Sequence, residues 1–452
     1  MTQMFHKDVC IIGFGPASIG AALELSNHQI IKNTIVIEAG NGIQEKKCTI
    51  LKKSGCKKDK VCSIIGGFGG SSVLGGSKLS NYPAGSKIAD ILESSENTQE
   101  KFSKSLKMFE KFVVFRKNSV DPTIIKSSRK KFSELGFEYK YYDVYKFRKR
   151  SIIEGYKRIE SLLSHKGLAF YYNTIVKSIE NDGKNYIILA ENSNGQIVIH
   201  SKFVIVGVGR LGYELLEKMN KTFHLNAVEN PIDIGVRLEF LSEKFPNIDQ
   251  AHGDLKLLFA EQAKTFCVCK AGKIAQYFLD GFYCTEGYLD FNNITKFTNV
   301  AIIIRVENVK YSLLKEYVTT QLDQLVTRSI IRQNFRDYFN STNNNDDQVA
   351  TSIDHWGWGD INKLFPDEIS IRIKKAVVFF VSKIFQKKDI DSITIYAPEI
   401  HRNGYNFPLK KDFSIYERIY LVGECSGAFR GILQSFTSGV ICAESILSEE
   451  NK

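Results

Sequence analysis

The chain has 452 residues, 43% of them hydrophobic, which is ample material for a core spread over two or three domains. No run of 18 apolar residues exists, so no transmembrane helix is expected, and His6, Lys7 and Asp8 ahead of a short first strand argue against a signal peptide. Nine cysteines, an odd number, fit a reducing cytoplasm better than a disulfide scaffold. The net charge is +11, with lysines crowded between Lys101 and Arg150. A solvated helical face accounts for that crowding. A docking face for an acidic partner, an anionic substrate or nucleic acid is the alternative, although no nucleic-acid motif accompanies the charge.

Residues 1–45 read as strand, helix, strand. Val9 to Ile12 is an apolar, mostly β-branched run, as expected of a buried parallel strand. Gly13 allows the tight turn out of it, and Gly15 lets backbone approach a pyrophosphate. Pro16, Ala17 and Ser18 then open a helix whose N-terminal amides would face phosphate. Ser18 stands where Gly or Ala is usual; with Gly20 it is small enough for the helix to pack on the sheet. Thr34 to Glu38 is a second strand, and Glu38 ends it 25 residues after Gly13, placed to accept from a ribose hydroxyl. That acid favours FAD or NAD over NADP.

Residues 46–88 are a Cys- and Gly-rich connection. Cys48, Cys56 and Cys62 have spacings x7 and x5, whereas zinc and iron–sulfur sites use four ligands in tighter pairs. No metal site is assigned; a redox pair and simple packing stay open. Six glycines between Gly66 and Gly76 let backbone lie against a planar ring or phosphate, which makes Gly69, Gly70 and Ser71 candidate cofactor contacts. Lys78 follows and is a candidate both for cofactor binding and for catalysis. Residues 90–165 read as polar helices with a break at Asp121-Pro122. Residues 168–206 read as a β-meander whose runs start at Ala169, Thr174, Asn185 and Gln196, with Val176 a candidate dinucleotide contact.

Gly207, Gly209 and Gly212 spell a second dinucleotide fingerprint. It follows the meander directly and lacks a second strand ending in an acid, so a strand returning to the first sheet is favoured over an NAD(P) domain. Residues 215–390 mix strands and helices. Cys267 and Cys269, at i and i+2 of a strand, are expected to share a face. His355, between Asp354 and Trp356 and close to Trp358, is a candidate acid or base beneath an aromatic wall; a tryptophan-anchored surface turn is the alternative. Asn340 to Asp347 reads as a surface loop. From 391 onward a strand over 417–421 leads to Gly423, Glu424 and Gly427, then to Arg430, Gly431 and Ile432 and a helix from about Leu433 to Leu447. Glu424 is placed for ribityl hydroxyls. The helix N-terminus at Gly431 would stabilise the anion of a reduced flavin, with Arg430 beside it or on an anionic substrate.

With these motifs in view, the chain resembles the flavoproteins of the glutathione-reductase and hydroxybenzoate-hydroxylase superfamily. Within it, the chain resembles the family known as uncharacterised FAD-dependent dehydrogenases. Gly13, Gly15 and Glu38 carry the resemblance, as do Cys48, Cys56 and Cys62 with the glycine segment and Lys78-Leu79. So do Val206 to Gly212 with Arg210, the run Pro231 to Arg237, Thr265 to Cys269, and the closing residues Gly423, Gly427, Arg430, Gly431 and Ile432. Two departures stand out. Gly75-Gly76-Ser77 replaces a Ser-Asp-Gly, and Glu424 replaces an Asp.

The resemblance implies an α/β fold, with a Rossmann-like FAD-binding domain (parallel sheet plus β-meander) and an inserted α+β middle domain. The expected division is a discontinuous FAD domain of 1–90, 166–214 and 391–452, a basic helical insert of 91–165, and a capping domain of 215–390. The expected function is a cytoplasmic FAD-dependent dehydrogenase or oxidase passing hydride between a small organic substrate and flavin N5. Oxygen or an external electron donor would close the cycle. A flavin monooxygenase and an FAD-bound, non-enzymatic scaffold are the rival readings. Substrate identity, oligomeric state and covalent flavin attachment are not specified by the residues.

Overall fold

The computed structural model describes residues 2–49, 56–117, 120–245, 254–325, 329–342, 344 and 349–451. Half of the Asn340–Asp347 loop lies outside the described residues.

The first sheet runs in the order Ser414–Tyr416, Ile419–Leu421, Gly195–Val206, Thr2–Ile12, Thr34–Ile37 and Ala169–Tyr171. All neighbours are parallel except the first pair, which is antiparallel. Val9 to Ile12 and Thr34 to Ile37 are buried on both faces, as their unbroken apolar runs require. The helices Pro16–Leu25 and Ile432–Glu450 pack on each other above one face. They approach so closely that a Cβ on Gly439 would lie 1.8 Å from the Ala17 carbonyl oxygen, and one on Gly20 2.3 Å from that of Phe436. Gly20 therefore serves the contact between the two helices rather than the packing of helix on sheet. Ser18 lies beneath the sheet turn, its Oγ 2.4 Å from where a Cβ of Gly207 would stand.

Gly195–Val206 answers the question raised by the second glycine fingerprint. It pairs in parallel with Thr2–Ile12 from Thr2↔Gln196 to Ile12↔Val206, and the Gly207 amide donates to the Ile12 carbonyl at 2.8 Å. The strand returns to the first sheet. Its N-terminal half also pairs antiparallel with Tyr186–Asn192, which pairs with Ile175–Asn181, forming the meander. Ala169–Tyr171 differs from expectation: it is not a meander strand but a parallel strand beside Thr34–Ile37. Aromatic, half-buried residues fit either setting, so the run's composition does not distinguish them. Between 91 and 165, helices Ser95–Glu110, Pro122–Glu134 and Lys149–His165 alternate with three short strands. Asp121 caps the second of these helices by accepting from the Thr123 amide at 2.8 Å, so Asp-Pro is a helix start.

The second sheet has eight strands, and Ile232–Leu241 and Phe297–Val306 are central to it. Its neighbours Thr394–His401 and Ala263–Cys269 are also antiparallel. Helix Asp367–Ile384 covers one face through Ile373, Val377 and Phe380. The hairpin of Lys273–Leu279 and Phe282–Tyr288 lies alongside. An ion pair is buried within this layer. Arg237 Nε and Nη2 donate to the two oxygens of Glu399 at 2.9 and 2.6 Å, and both side chains are 0% exposed. Among the described residues no helix is long and apolar enough to cross a membrane.

Candidate functional site

One long cavity of about 1050 Å³ runs between the two sheets, and both ends of the chain line it. Gly13 to Ala17 meet Gly423, Glu424 and Arg430 to Ile432 on its walls, although some 400 residues separate them in sequence. The parallel register of Ile12, Val206 and Leu421 brings these turns together, because all three strands end on the same edge of the sheet.

At Gly13 the chain turns with φ +80°, and a Cβ there would lie 2.6 Å from the Gly207 carbonyl oxygen. Gly15 differs: a Cβ would meet nothing within 4 Å, because it would project into open space at the cavity wall. Gly15 is also the N-cap of helix Pro16–Leu25 and makes no side-chain cap, so the first-turn amides face the cavity. The second helix N-terminus, at Gly431 of Ile432–Glu450, opens on the same space, again without a side-chain cap. Two positive helix ends thus address one elongated cavity.

Glu38 is buried at the end of its strand. One carboxylate oxygen accepts from the Phe14 amide at 2.6 Å, and the other accepts from the Gly40 and Gly67 amides at 2.8 and 3.0 Å. The acid thereby fixes the fingerprint turn and the glycine-rich segment as one unit while still lining the cavity. Val176 lines the same region.

The glycine-rich segment is held by a lysine that no local pattern announces. Lys46 Nζ donates to the carbonyls of Gly66, Phe68 and Gly70 at 2.7, 3.1 and 2.5 Å. Burial pushes its pKa down to about 7, against the pull of the Glu38 carboxylate. Lys149 plays the same part at the next turn, donating to Val73 and Gly75 carbonyls. Gly70, Ser71, Gly75 and Gly76 line the cavity, and a Cβ on Gly76 would meet nothing within 4 Å.

At the far end Lys78 Nζ donates to Asp254 Oδ1 at 2.6 Å and to the Val268 carbonyl at 2.8 Å. Burial works against its charge, but Asp254 and the nearby thiols raise its pKa overall. Arg210 spans two acids: Nε lies 3.3 Å from Glu424 and Nη1 2.9 Å from Glu286. Glu424 lines the cavity and stays ionised below its usual range, because Arg210 and Arg430 outweigh its burial. Gly207 and Gly209 complete this wall.

Three candidates sit elsewhere. Ser18 and Gly69 do not line the cavity. Gly69 backs the fingerprint, its amide donating to the Phe14 carbonyl at 2.8 Å. His355 is exposed and away from the cavity. The expected aromatic wall is a clamp on buried Arg332, whose guanidinium lies 4.4 Å from the Trp356 ring and 5.0 Å from Trp358. Cys267 and Cys269 do not share a face in simple alternation. Cys267 has φ +46° and the pairing with Phe297–Val306 slips between Phe266 and Cys269, so a bulge turns Cys267 to the cavity while Cys269 is buried. All nine cysteines are free thiols, and Cys62 lies close enough to Cys48 and Cys56 for burial and their charge to push its thiol up. Among the described residues no group of three or more His, Cys, Asp or Glu side chains could hold a metal.

Reading the sequence also missed Asp254, Glu286, Lys87, Lys256, Lys264 and Arg305, all of which line the cavity. One signal pointed their way. The run Pro231 to Arg237 contains Asp233, whose carboxylate gathers Lys264, Arg305 and Arg430.

No family model and no curated protein matches the chain. Among solved structures it is similar to a flavoprotein/dehydrogenase from Cytophaga hutchinsonii, with 10% identity, a TM-score of 0.43, and coverage of 99% of this chain and 79% of that one. It is also similar to a geranylgeranyl bacteriochlorophyll reductase-like protein from Thermoplasma acidophilum, with 12% identity, a TM-score of 0.42 and coverage of 99% and 80%. A p-nitrophenol 4-monooxygenase from Pseudomonas putida gives 11% identity, a TM-score of 0.38 and coverage of 100% and 82%. Likeness this distant carries no functional argument, which rests instead on the geometry above.

Proposed function

We propose that the chain is an FAD-dependent oxidoreductase, a dehydrogenase or oxidase of a small organic substrate. One observation carries the reading: a single elongated cavity is built jointly by the opening and closing glycine turns, with a helix N-terminus at each. The residues fit an extended dinucleotide, since Gly15 and Gly76 leave open the space that side chains would fill. Gly13 to Ala17 would hold the pyrophosphate, Glu38 and Val176 the adenosine half, and Glu424 the ribityl chain. Gly431 and Ile432 would face the pyrimidine edge, with Gly70, Ser71 and Lys78 on the opposite wall. Bound there, FAD would supply two-electron chemistry, accepting hydride from the substrate.

The nucleotide domain in this reading comprises 1–90, 166–214 and 391–452. The second sheet, drawn mostly from 215–390 but with Thr394–His401 and Glu138–Lys140 among its strands, caps the substrate end, and the rest of 91–165 is an insert. Lys78, fixed by Asp254, holds positive charge where reduction places negative charge. Lys78→Met is expected to retain FAD at one per chain and to slow reduction by donor roughly 100-fold, as for loss of one preorganised charge; an unchanged rate removes Lys78 from the mechanism.

Reduced protein mixed with oxygen tests the reaction class. Stoichiometric hydrogen peroxide, or reoxidation only by an added acceptor, agrees with the reading. Oxygen incorporated into a substrate makes the protein a monooxygenase, and bound FAD with no turnover by any donor makes it a scaffold.

A further inference from the structure

Beyond the nucleotide contacts, the cavity's far end carries more cations than its carboxylates can pair. Lys264 Nζ lies 2.7 Å and Arg430 Nη1 2.9 Å from one oxygen of Asp233, and Arg305 Nε lies 3.3 Å from the other. Asp233 is fully buried behind them. Lys256 Nζ donates to the Thr265 carbonyl at 3.2 Å and rests over the Phe266 ring at 5.5 Å. Lys87, exposed at the mouth, donates to the Gly427 carbonyl at 3.1 Å. All five cations line the cavity.

The neighbouring acids do not restore the balance. Asp254 is taken by Lys78, and Glu286 and Glu424 are shared by Arg210, with Arg430 Nε 3.6 Å from Glu424. Arg430 Nη2 is buried with no hydrogen-bond partner among the described residues. The cations also feel one another. Burial lowers the Lys87 pKa and Arg305 and Arg430 lower it further; burial also lowers that of Lys256, against the pull of Asp254 and with Arg430 adding to the decrease. A structural cluster pairs its buried charges, because an uncompensated one is costly. This one gathers three cations on the single carboxylate of Asp233 and leaves Arg430 Nη2 without a partner among the described residues.

We propose that this end of the cavity is an oxyanion subsite, and that the substrate carries a carboxylate or phosphate bound by Lys256, Lys264, Arg305 and Arg430. The assignment rests on the oxidoreductase reading for the word substrate, but the subsite itself stands on the side chains alone. Arg305 meets Asp233 through Nε alone, and its guanidinium is suited to oxygens of one group. Lys256 and Lys264 add point charges from neighbouring strands. Asp233 holds three of the four cations in place without neutralising them.

The test is calorimetric titration of the purified protein with succinate, with inorganic phosphate and with neutral succinamide. Succinate or phosphate is expected to bind and succinamide not to; the tighter of the two anions identifies the group. The double variant Lys256→Gln/Arg305→Gln is expected to lose at least tenfold in anion affinity while taking up FAD as the parent does. Arg305→Lys is expected to recover part of the single-site loss, and circular dichroism checks that each variant folds. Gly15→Val, altered at the nucleotide loop where phosphate itself would bind, is expected to bind succinate as the parent does. Equal affinity in the double variant, or loss of succinate binding in Gly15→Val, overturns the subsite. Failure of the parent to take up FAD while anion binding persists overturns the oxidoreductase reading and leaves the subsite standing.

Discussion

Gly15→Val is expected to leave a folded protein that no longer takes up FAD. The expectation follows from the empty space around this residue: a Cβ on Gly15 meets nothing within 4 Å, and its φ of −80° and ψ of −173° suit valine. The cost to the apoprotein is about 1 kcal/mol, that of exchanging a favoured helix cap for a poor one. The added methyl groups would instead stand at the cavity wall before the amides of Pro16–Leu25, where the pyrophosphate would lie. FAD affinity is expected to fall by at least 100-fold, measured by titrating apoprotein and following quenching of FAD fluorescence. Gly13→Val is the contrasting variant. There the new Cβ would press on the Gly207 carbonyl at 2.6 Å, so loss of FAD would come with loss of fold. Unaltered FAD binding by Gly15→Val would mean that the pyrophosphate does not lie on this turn.

The largest effect on stability is expected at Arg237. Its guanidinium pairs with both oxygens of Glu399 and donates to Asn299 Oδ1 at 2.9 Å, all without exposure to solvent. Arg237→Met strands the Glu399 carboxylate, a change costing about 3–5 kcal/mol and lowering the melting temperature by roughly 3–5 °C. Adding Glu399→Leu removes the stranded charge and is expected to restore much of that loss. The pH dependence has a definite sign. Burial raises the Glu399 pKa, but Arg237 and His401 outweigh it and hold the group below its ordinary value. Its stabilisation is therefore complete above the unfolded carboxyl value of about 4.3 and fades as the pH falls through the folded one. The double variant is expected to lose less stability than the parent between pH 4.5 and 3, read by thermal melts. A single variant as stable as the parent would show that Arg237 and Glu399 do not depend on each other.

The parts of the fold legible in the sequence were those carried by local patterns. Val9 to Glu38 spells its strand, turn, helix and acid within 30 residues, and each unit stands in the structure where the pattern puts it. The same is true of the meander and of the strand returning to Gly207, which the absence of a following strand and acid separated from a second nucleotide domain. What was not legible depends on tertiary pairing. Ala169–Tyr171 carries no mark that tells a parallel edge strand from a meander strand. The bulge at Cys267 arises from a positive φ in a non-glycine residue, which alternation of side chains cannot announce. The cation cluster draws on Lys87, Lys256, Lys264, Arg305 and Arg430, and no window of sequence contains more than two of them. His355 shows the opposite failure. In a suggestive local constellation, a histidine followed by two tryptophans, the tryptophans clamp Arg332 and the histidine is exposed.

The measurement that bears most directly on the central claim is the visible spectrum of the purified protein, followed by chromatography of its heat-released cofactor against FAD, FMN and NAD standards. The account predicts a yellow protein, or a colourless one that becomes yellow on adding FAD, releasing FAD at close to one per chain. A colourless protein that does not take up added FAD would contradict it.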